Sequence, residues 1–166
     1  MESNKQYQDA ESVIEAIKNG TLPKDFSDWE MRDSDGIPVA FEGAEAGLLP
    51  DSFDNWSLGG GWTTVAHIAA LGGTLPANFS QWDIKDKRGD PVAMIAAKSP
   101  KASLEHFNDW ELSNGRTTVA HAAAAHGKLP KGFDKWGLLS KNGDTVAHIA
   151  AYNGHLPADF KQWDLK

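Results

Sequence analysis

The hydrophobic positions of this chain form a phrase that recurs about every 27 residues. Phe-x-x-Trp appears at Phe26/Trp29, Phe53/Trp56, Phe79/Trp82, Phe107/Trp110, Phe133/Trp136 and Phe160/Trp163. Successive tryptophans are 27, 26, 28, 26 and 27 residues apart, and six of the seven obey this period. Leu-Pro precedes five of the six pairs, at 22–23, 49–50, 75–76, 129–130 and 156–157, and Val-Ala stands at 39–40, 65–66, 92–93, 119–120 and 146–147. A fixed period of this length marks an array of stacked units. From the Val of Val-Ala to the next Trp is 17 residues in four units and 18 in the unit of Val92, where AKSPKASLEHF replaces the usual Leu-Pro segment. From Trp to the next Val is 9 or 10, so one-residue variation falls mainly in the turns between units.

Within a unit, Val-Ala-His-Ile-Ala-Ala predicts a helix of about nine residues, as from Thr145 to Asn153. Asp90, Asp144, Thr63 and Thr117 are its expected N-terminal caps, with Pro38 and Pro91 at the next, tolerant position. Gly47, Gly73, Gly127 and Gly154 are expected to end it with a left-handed cap. Leu-Pro is then expected to start a second, shorter helix, with Pro in its first turn and Phe and Trp sharing one face. Asp-Gly, Asn-Gly and Gly-Gly turn the chain back. One Phe/Trp pair buries roughly 300–500 Å², about 7–12 kcal/mol at ~25 cal/mol/Å². Ordering a 27-residue unit costs on the order of 40 kcal/mol. One unit therefore cannot fold on its aromatic pair and must share surfaces with its neighbours.

Composition narrows the functional classes. The 166 residues suffice for one domain, and 40% hydrophobic content is too high for a disordered chain. No cysteine is present, which excludes disulfides, thiol nucleophiles and thiolate metal sites and makes a reducing cytoplasm the expected location. Neither a signal peptide nor a membrane span is expected. The net charge of −7 and the 16 scattered basic residues disfavour binding to a nucleic-acid backbone.

Gly-Asp-Thr-Val-Ala-His-Ile-Ala-Ala-Tyr-Asn-Gly-His, 143–155, resembles the ankyrin pattern Gly-x-Thr-Pro-Leu-His-x-Ala-Ala-x-x-Gly-His, and 115–127 and 61–73 are nearly as similar. The first unit keeps Asn19-Gly20-x-Leu22-Pro23 but has Ile14 in place of His, as a capping repeat would. The period is shorter than the ankyrin period of about 33 residues, so the second helix is expected to be truncated. Phe41 and Met94 stand where the His of the pattern belongs. The resemblance implies an all-α, ankyrin-like helical solenoid of about six short repeats. Residues 1–35 would form an N-terminal capping repeat, 36–142 the central repeats and 143–166 the C-terminal repeat. It also implies that the repeated His bonds the adjoining turn. Short units of this kind are similar to those of bacterial and phage ankyrin-like proteins.

Candidate chemistry is sparse. His67, His121 and His148 stand one repeat apart, roughly 10 Å between layers, too far for metal–nitrogen bonds of about 2 Å to share one ion. GGGW, 59–62, lacks the Lys and the spacing of a P-loop and is expected to be a flexible turn. No nucleophile elbow, dinucleotide fingerprint or paired-His zinc motif occurs, and no carboxylate pair stands out as acid and base. Neither catalytic nor metal nor cofactor-binding residues are nominated, and no cofactor is expected.

A binding array should vary between units where it touches its partner. The turns at 32–37, 58–63, 85–90, 112–117 and 140–145 vary most. Trp62, the one Trp outside the period, and Arg88 and Arg116 are candidate anchors, since exposed Trp and Arg are typical of binding hot spots. On the first helix Glu42, Glu45, Leu71, Lys98, Ala125 and Tyr152 vary and are expected to line an inner face. These features point to a non-enzymatic scaffold that binds another protein. The resemblance suggests an inhibitor or sequestering factor acting on a bacterial host or defence protein, in the host cytoplasm if phage-encoded. The alternatives are a self-assembling structural protein and an acidic nucleic-acid mimic. The last unit stops after Trp-Asp-Leu without a polar closing helix, so a monomer or a weak homo-oligomer through the C-terminal repeat is expected.

Overall fold

Each Val-Ala phrase begins a short helix whose first two side chains are withdrawn from water. A computed structural model of the chain describes residues 7–165; parts of the expected end units, residues 1–6 and 166, lie outside the described residues. The elements are α1 (Ala10–Lys18), α2 (Ala40–Ala46), β1 (Gly59–Gly60), β2 (Thr63–Thr64), α3 (Val65–Gly72), α4 (Val92–Lys98), α5 (Val119–Ala125) and α6 (Val146–Tyr152). Helix is thus the main regular structure. Among the described residues the only sheet is the antiparallel pair β1–β2, with Gly59 opposite Thr64 and Gly60 opposite Thr63. Each helix contacts the helices that precede and follow it in sequence. Val39, Val65, Val92, Val119 and Val146 have no exposed surface, and the small residues after them let neighbouring helices approach.

The helix boundaries are tighter than the sequence predicts. The helix expected over 145–153 spans Val146–Tyr152, with Thr145 and Asn153 as its caps. The expected caps move by one residue: Thr64, Thr118, Thr145 and Pro91 occupy the N-cap positions, not Thr63, Thr117, Asp144 and Asp90. In α3, α5 and α6 the shifted start goes with the histidine at the third helical position; α4 starts at the same register with Met94 there. The histidine Nδ1 approaches the cap Thr hydroxyl at 2.8 Å in both the His67–Thr64 and His121–Thr118 pairs, and accepts from Thr118 N at 3.4 Å. A capping box normally gives this place to Glu or Gln. The glycines at 47, 73, 127 and 154 all adopt positive φ.

The second helix of each unit does not form. Leu-Pro-x-x-Phe-x-x-Trp is instead a pair of consecutive turns. In each, the Phe amide bonds the Pro carbonyl three residues back, as in Phe26 to Pro23 at 3.1 Å and Phe133 to Pro130 at 3.1 Å, and no ladder continues. A single turn fixes several dihedrals for one hydrogen bond, so these segments depend on the aromatic rings for their order. Phe and Trp of a unit meet edge to face at about 5 Å. From Trp56 onward each Trp also meets the Phe of the next unit edge to face, at 5.4 Å for Trp56–Phe79 and 5.3 Å for Trp136–Phe160. The series is interrupted after Trp29. That ring lies over Gly43, where a Cβ would stand 2.4 Å from Trp29 Cζ3. The other units carry Ala69, Ala96, Ala123 and Ala150 at this register.

Candidate partner-binding edge

The variable turns are held by bonds that pass from one unit to the next. His67 Nε2 donates to the carbonyl of Asp90 at 2.9 Å, and His121 Nε2 to that of Asp144 at 3.0 Å. A carbonyl can only accept, so Nε2 carries a proton in both rings. Both nitrogens of His67 and His121 are therefore engaged in structure. His148 is exposed and accepts only from Thr145 N within its own unit, at 3.3 Å. Where α4 has Met94 instead of His, the link is made from the other side. Asn114 Nδ2 reaches Asp90 Oδ1 at 2.5 Å and Met94 Sδ at 3.4 Å. At the second unit Arg32 Nη1 donates to the carbonyls of Gly36 and Gly59, at 2.6 and 3.0 Å.

The turn expected at 59–62 is the β1–β2 hairpin. Gly61 and Trp62 form its two-residue loop, and Gly61 has φ +63°. A positive φ at the first loop residue belongs to the type II′ turn that suits hairpin twist. Gly60 has a separate role: a Cβ there would lie 2.9 Å from Pro38 Cδ and 3.3 Å from Phe41 Cζ. Phe41, which replaces the His of its unit, thus packs against a backbone without a side chain.

The hairpin lifts Trp62 into solvent, where the ring is 68% exposed. Its carbonyl accepts from Lys87 N at 3.1 Å, and Lys87 Nζ lies 5.5 Å from the ring centroid. This is a cation–π contact. Arg88 and Arg116 are exposed on the two following turns, and Lys141 N bonds the Arg116 carbonyl at 2.8 Å. Trp62, Lys87, Arg88, Arg116 and Lys141 therefore follow one edge of successive turns. None of these four cations is in an ion pair among the described residues. Asp86 between them is engaged, accepting from Arg88 N at 2.8 Å and Asp90 N at 3.0 Å.

The helical candidates occupy one register. Glu45, Leu71, Lys98, Ala125 and Tyr152 are each six residues after the Val of their unit. All but the half-buried Ala125 are exposed, and Glu42, at another register, is half-buried. Helical side chains lean toward the N-terminus, here toward the turns. Lys98 Nζ accordingly reaches within 4.0 Å of Asp90 Oδ2. Through that pair the helix row adjoins the turn edge. Lys87, Lys141 and Asn114 escaped the sequence reading. KDKRGD showed two adjacent cations at 87–88, but nothing local revealed that Lys87 would lie over a ring 25 positions earlier in the chain.

A cleft of about 630 Å³ opens between the fifth and sixth units, bounded by Leu129, Pro130, Phe133, Pro157 and Phe160 with Lys131 and Lys161 at its sides. A smaller cleft recurs at the same register around Leu49, Pro50, Trp56 and Pro76, so this shape belongs to the way the turns stack. Among the described residues no group of three or more His, Asp or Glu is placed to hold a metal ion. Among the described residues no helix is long and apolar enough to cross a membrane. No family model and no curated protein matches the chain.

Proposed function

We propose that this chain is a non-enzymatic, ankyrin-like solenoid that binds another protein through the edge formed by its turns and the adjoining helix row. The observation that carries the reading is the contrast among tryptophans. Trp29, Trp56, Trp110 and Trp136 are 5–8% exposed and packed against phenylalanines, whereas Trp62 is 68% exposed on a hairpin loop. A large apolar ring held out on a hydrogen-bonded hairpin is costly to leave in water and loses little freedom on docking. The sequential helix contacts and inter-unit turn bonds support a repeat stack as the scaffold. Such a protein acts by covering a partner's surface, which is how it would sequester or inhibit. The test is affinity capture from the source cells with the tagged chain and with Trp62→Ala. A defined partner retained by the first and lost by the second is the expected outcome; recovery of the chain alone overturns the reading.

Self-assembly is the second reading, favoured by the exposure of Trp163 (74%) and Tyr152 (91%) in the sixth unit. It requires a mass that rises with concentration in light scattering, and a monomer across that range rejects it.

A further inference from the structure

The chemistry of the turn edge deepens the protein-binding reading, on which this inference rests, by specifying what the partner presents. The chain is acidic overall, at −7. Yet the edge from Trp62 to Lys141 exposes Lys87, Arg88, Arg116 and Lys141 without carboxylate partners among the described residues. Of the carboxylates on these turns, Asp86 is occupied by backbone amides, and Asp90 by Asn114 with Lys98 nearby; Asp144, on the turn of Lys141, is exposed, so the four cations outnumber the one open carboxylate. The turns of the edge are also held to one another. Trp62 is bonded to Lys87, Asp90 to Asn114, and Arg116 to Lys141, so consecutive turns are tied in order.

Geometry adds a register. Packed helical layers are spaced by about 8–10 Å. A polyproline-type segment rises about 3.1 Å per residue and returns to the same face every third residue, or about 9 Å. Cations one unit apart therefore match side chains three residues apart on an extended chain, and the ring of Trp62 offers a flat face at one end.

We propose that the turn edge docks an extended, acidic segment of a partner protein, with a ring-bearing residue, proline or aromatic, on Trp62 and carboxylates at every third position against Arg88, Arg116 and Lys141. The apolar residue supplies the anchor and the carboxylates fix direction and register, since charge complementarity contributes more to specificity than to raw affinity.

The test uses the full chain and defined probes in about 50 mM salt, where screening still permits surface attraction. The first probe is a labelled peptide, Pro-Pro-Pro-Glu-Pro-Pro-Glu-Pro-Pro-Glu. The others are its isomer with the three Glu adjacent, its Lys-for-Glu counterpart, and a ten-nucleotide oligothymidylate. Fluorescence anisotropy should rank the registered Glu peptide first, and amide shifts in NMR spectra should map it to residues 61–62, 87–88, 116 and 141. The pair Arg88→Glu with Arg116→Glu should weaken it at least about tenfold, from two lost surface charge contacts and the repulsion that replaces them, with the circular dichroism spectrum unchanged. Trp62→Ala should also weaken it. No binding of the registered peptide, equal affinity for the clustered isomer, preference for the Lys peptide, or oligothymidylate binding as tightly at the same residues each overturns the proposal. Capture of a partner through Trp62 is read separately. Failure of the peptides therefore removes the acidic register and leaves the protein-binding function standing, whereas failure of capture removes that function.

Discussion

Lys128 Nζ lies 2.8 Å from the carbonyl oxygen of Ala96, in the helix of the preceding unit. The same ammonium also donates to the carbonyls of Ser99 and, at 2.8 Å, Ala102. These groups surround the end of α4, the one Val-Ala helix followed by Ser-Pro rather than Gly. Without a left-handed cap its last carbonyls need other donors, and a cation there also opposes the helix dipole. Thr74 occupies the same register two interfaces earlier and donates to Ala44 O at 2.5 Å. The lysine thus repairs a departure in the unit before it. Burial pushes its pKa below the usual lysine value, while the three acceptors favour the charged form.

Lys128→Met keeps an unbranched side chain of nearly the same reach and removes the donor. It should lower stability by about 1–3 kcal/mol, the cost of leaving buried acceptors unpaired, measured by urea unfolding. Amide exchange should accelerate first at Ser99, whose amide bonds Ile95 O at 3.0 Å. An unchanged midpoint would show that water replaces the ammonium without loss.

Gly73 and Gly154 share a φ of +73°, yet they face different surroundings. A Cβ at Gly73 would lie 2.5 Å from the carbonyl oxygen of Lys101, and one at Gly154 would meet nothing within 4 Å. Gly154→Ala should cost about 1–2 kcal/mol, the left-handed penalty alone. Gly73→Ala should cost more, because the third unit must also separate from the fourth. Equal losses in thermal unfolding would mean that the two turns are free to part.

The period, the helix positions and the buried valines were legible because the repeated phrase sets helical periodicity and spacing together. The second helix was not legible. Leu-Pro-x-x-Phe-x-x-Trp has helical spacing, and what decides its backbone is edge-to-face contact between Trp136 and Phe160, a relation across units. At α5 the cap moved by one residue with a similar relation: His121 binds both Thr118 and the following turn, and so ties the helix start to the next unit. At the candidate edge, the exposure of Trp62, Arg88 and Arg116 followed from their departure from the repeat. The cation over Trp62 depended on how two turns meet, which no single unit encodes.

Trp136 and Trp163 occupy equivalent places in adjacent units, but Trp136 is 6% exposed and Trp163 is 74% exposed. Trp136 touches Phe133 and Phe160, whereas Trp163 touches Phe160 alone among the described aromatic rings. Trp136→Ala should cost about 3–5 kcal/mol, as for a buried aromatic. Trp163→Ala should stay within about 1 kcal/mol, as expected near the surface. Similar losses from the two, in chemical denaturation, would contradict the assignment of stability to contacts between units.

Asp9 caps α1 by accepting from Ser12 N at 2.8 Å. That bond, followed by the contribution of the Ser12 side chain, lowers its carboxyl pKa from the ordinary value of 3.8. The folded state therefore holds the ionised form more firmly than the unfolded state does. The resulting stabilisation is fully present above the unfolded pKa and is lost as pH falls through the lower folded value. Asp9→Asn retains an oxygen acceptor for Ser12 N but cannot ionise. Its stability difference from the parent should be constant above about pH 5 and shrink toward pH 2, following the reference titration of Asp. Urea midpoints and the Ser12 amide shift, measured at each pH, read this directly. A difference that stays constant through the acid range would mean that the cap does not depend on its charge.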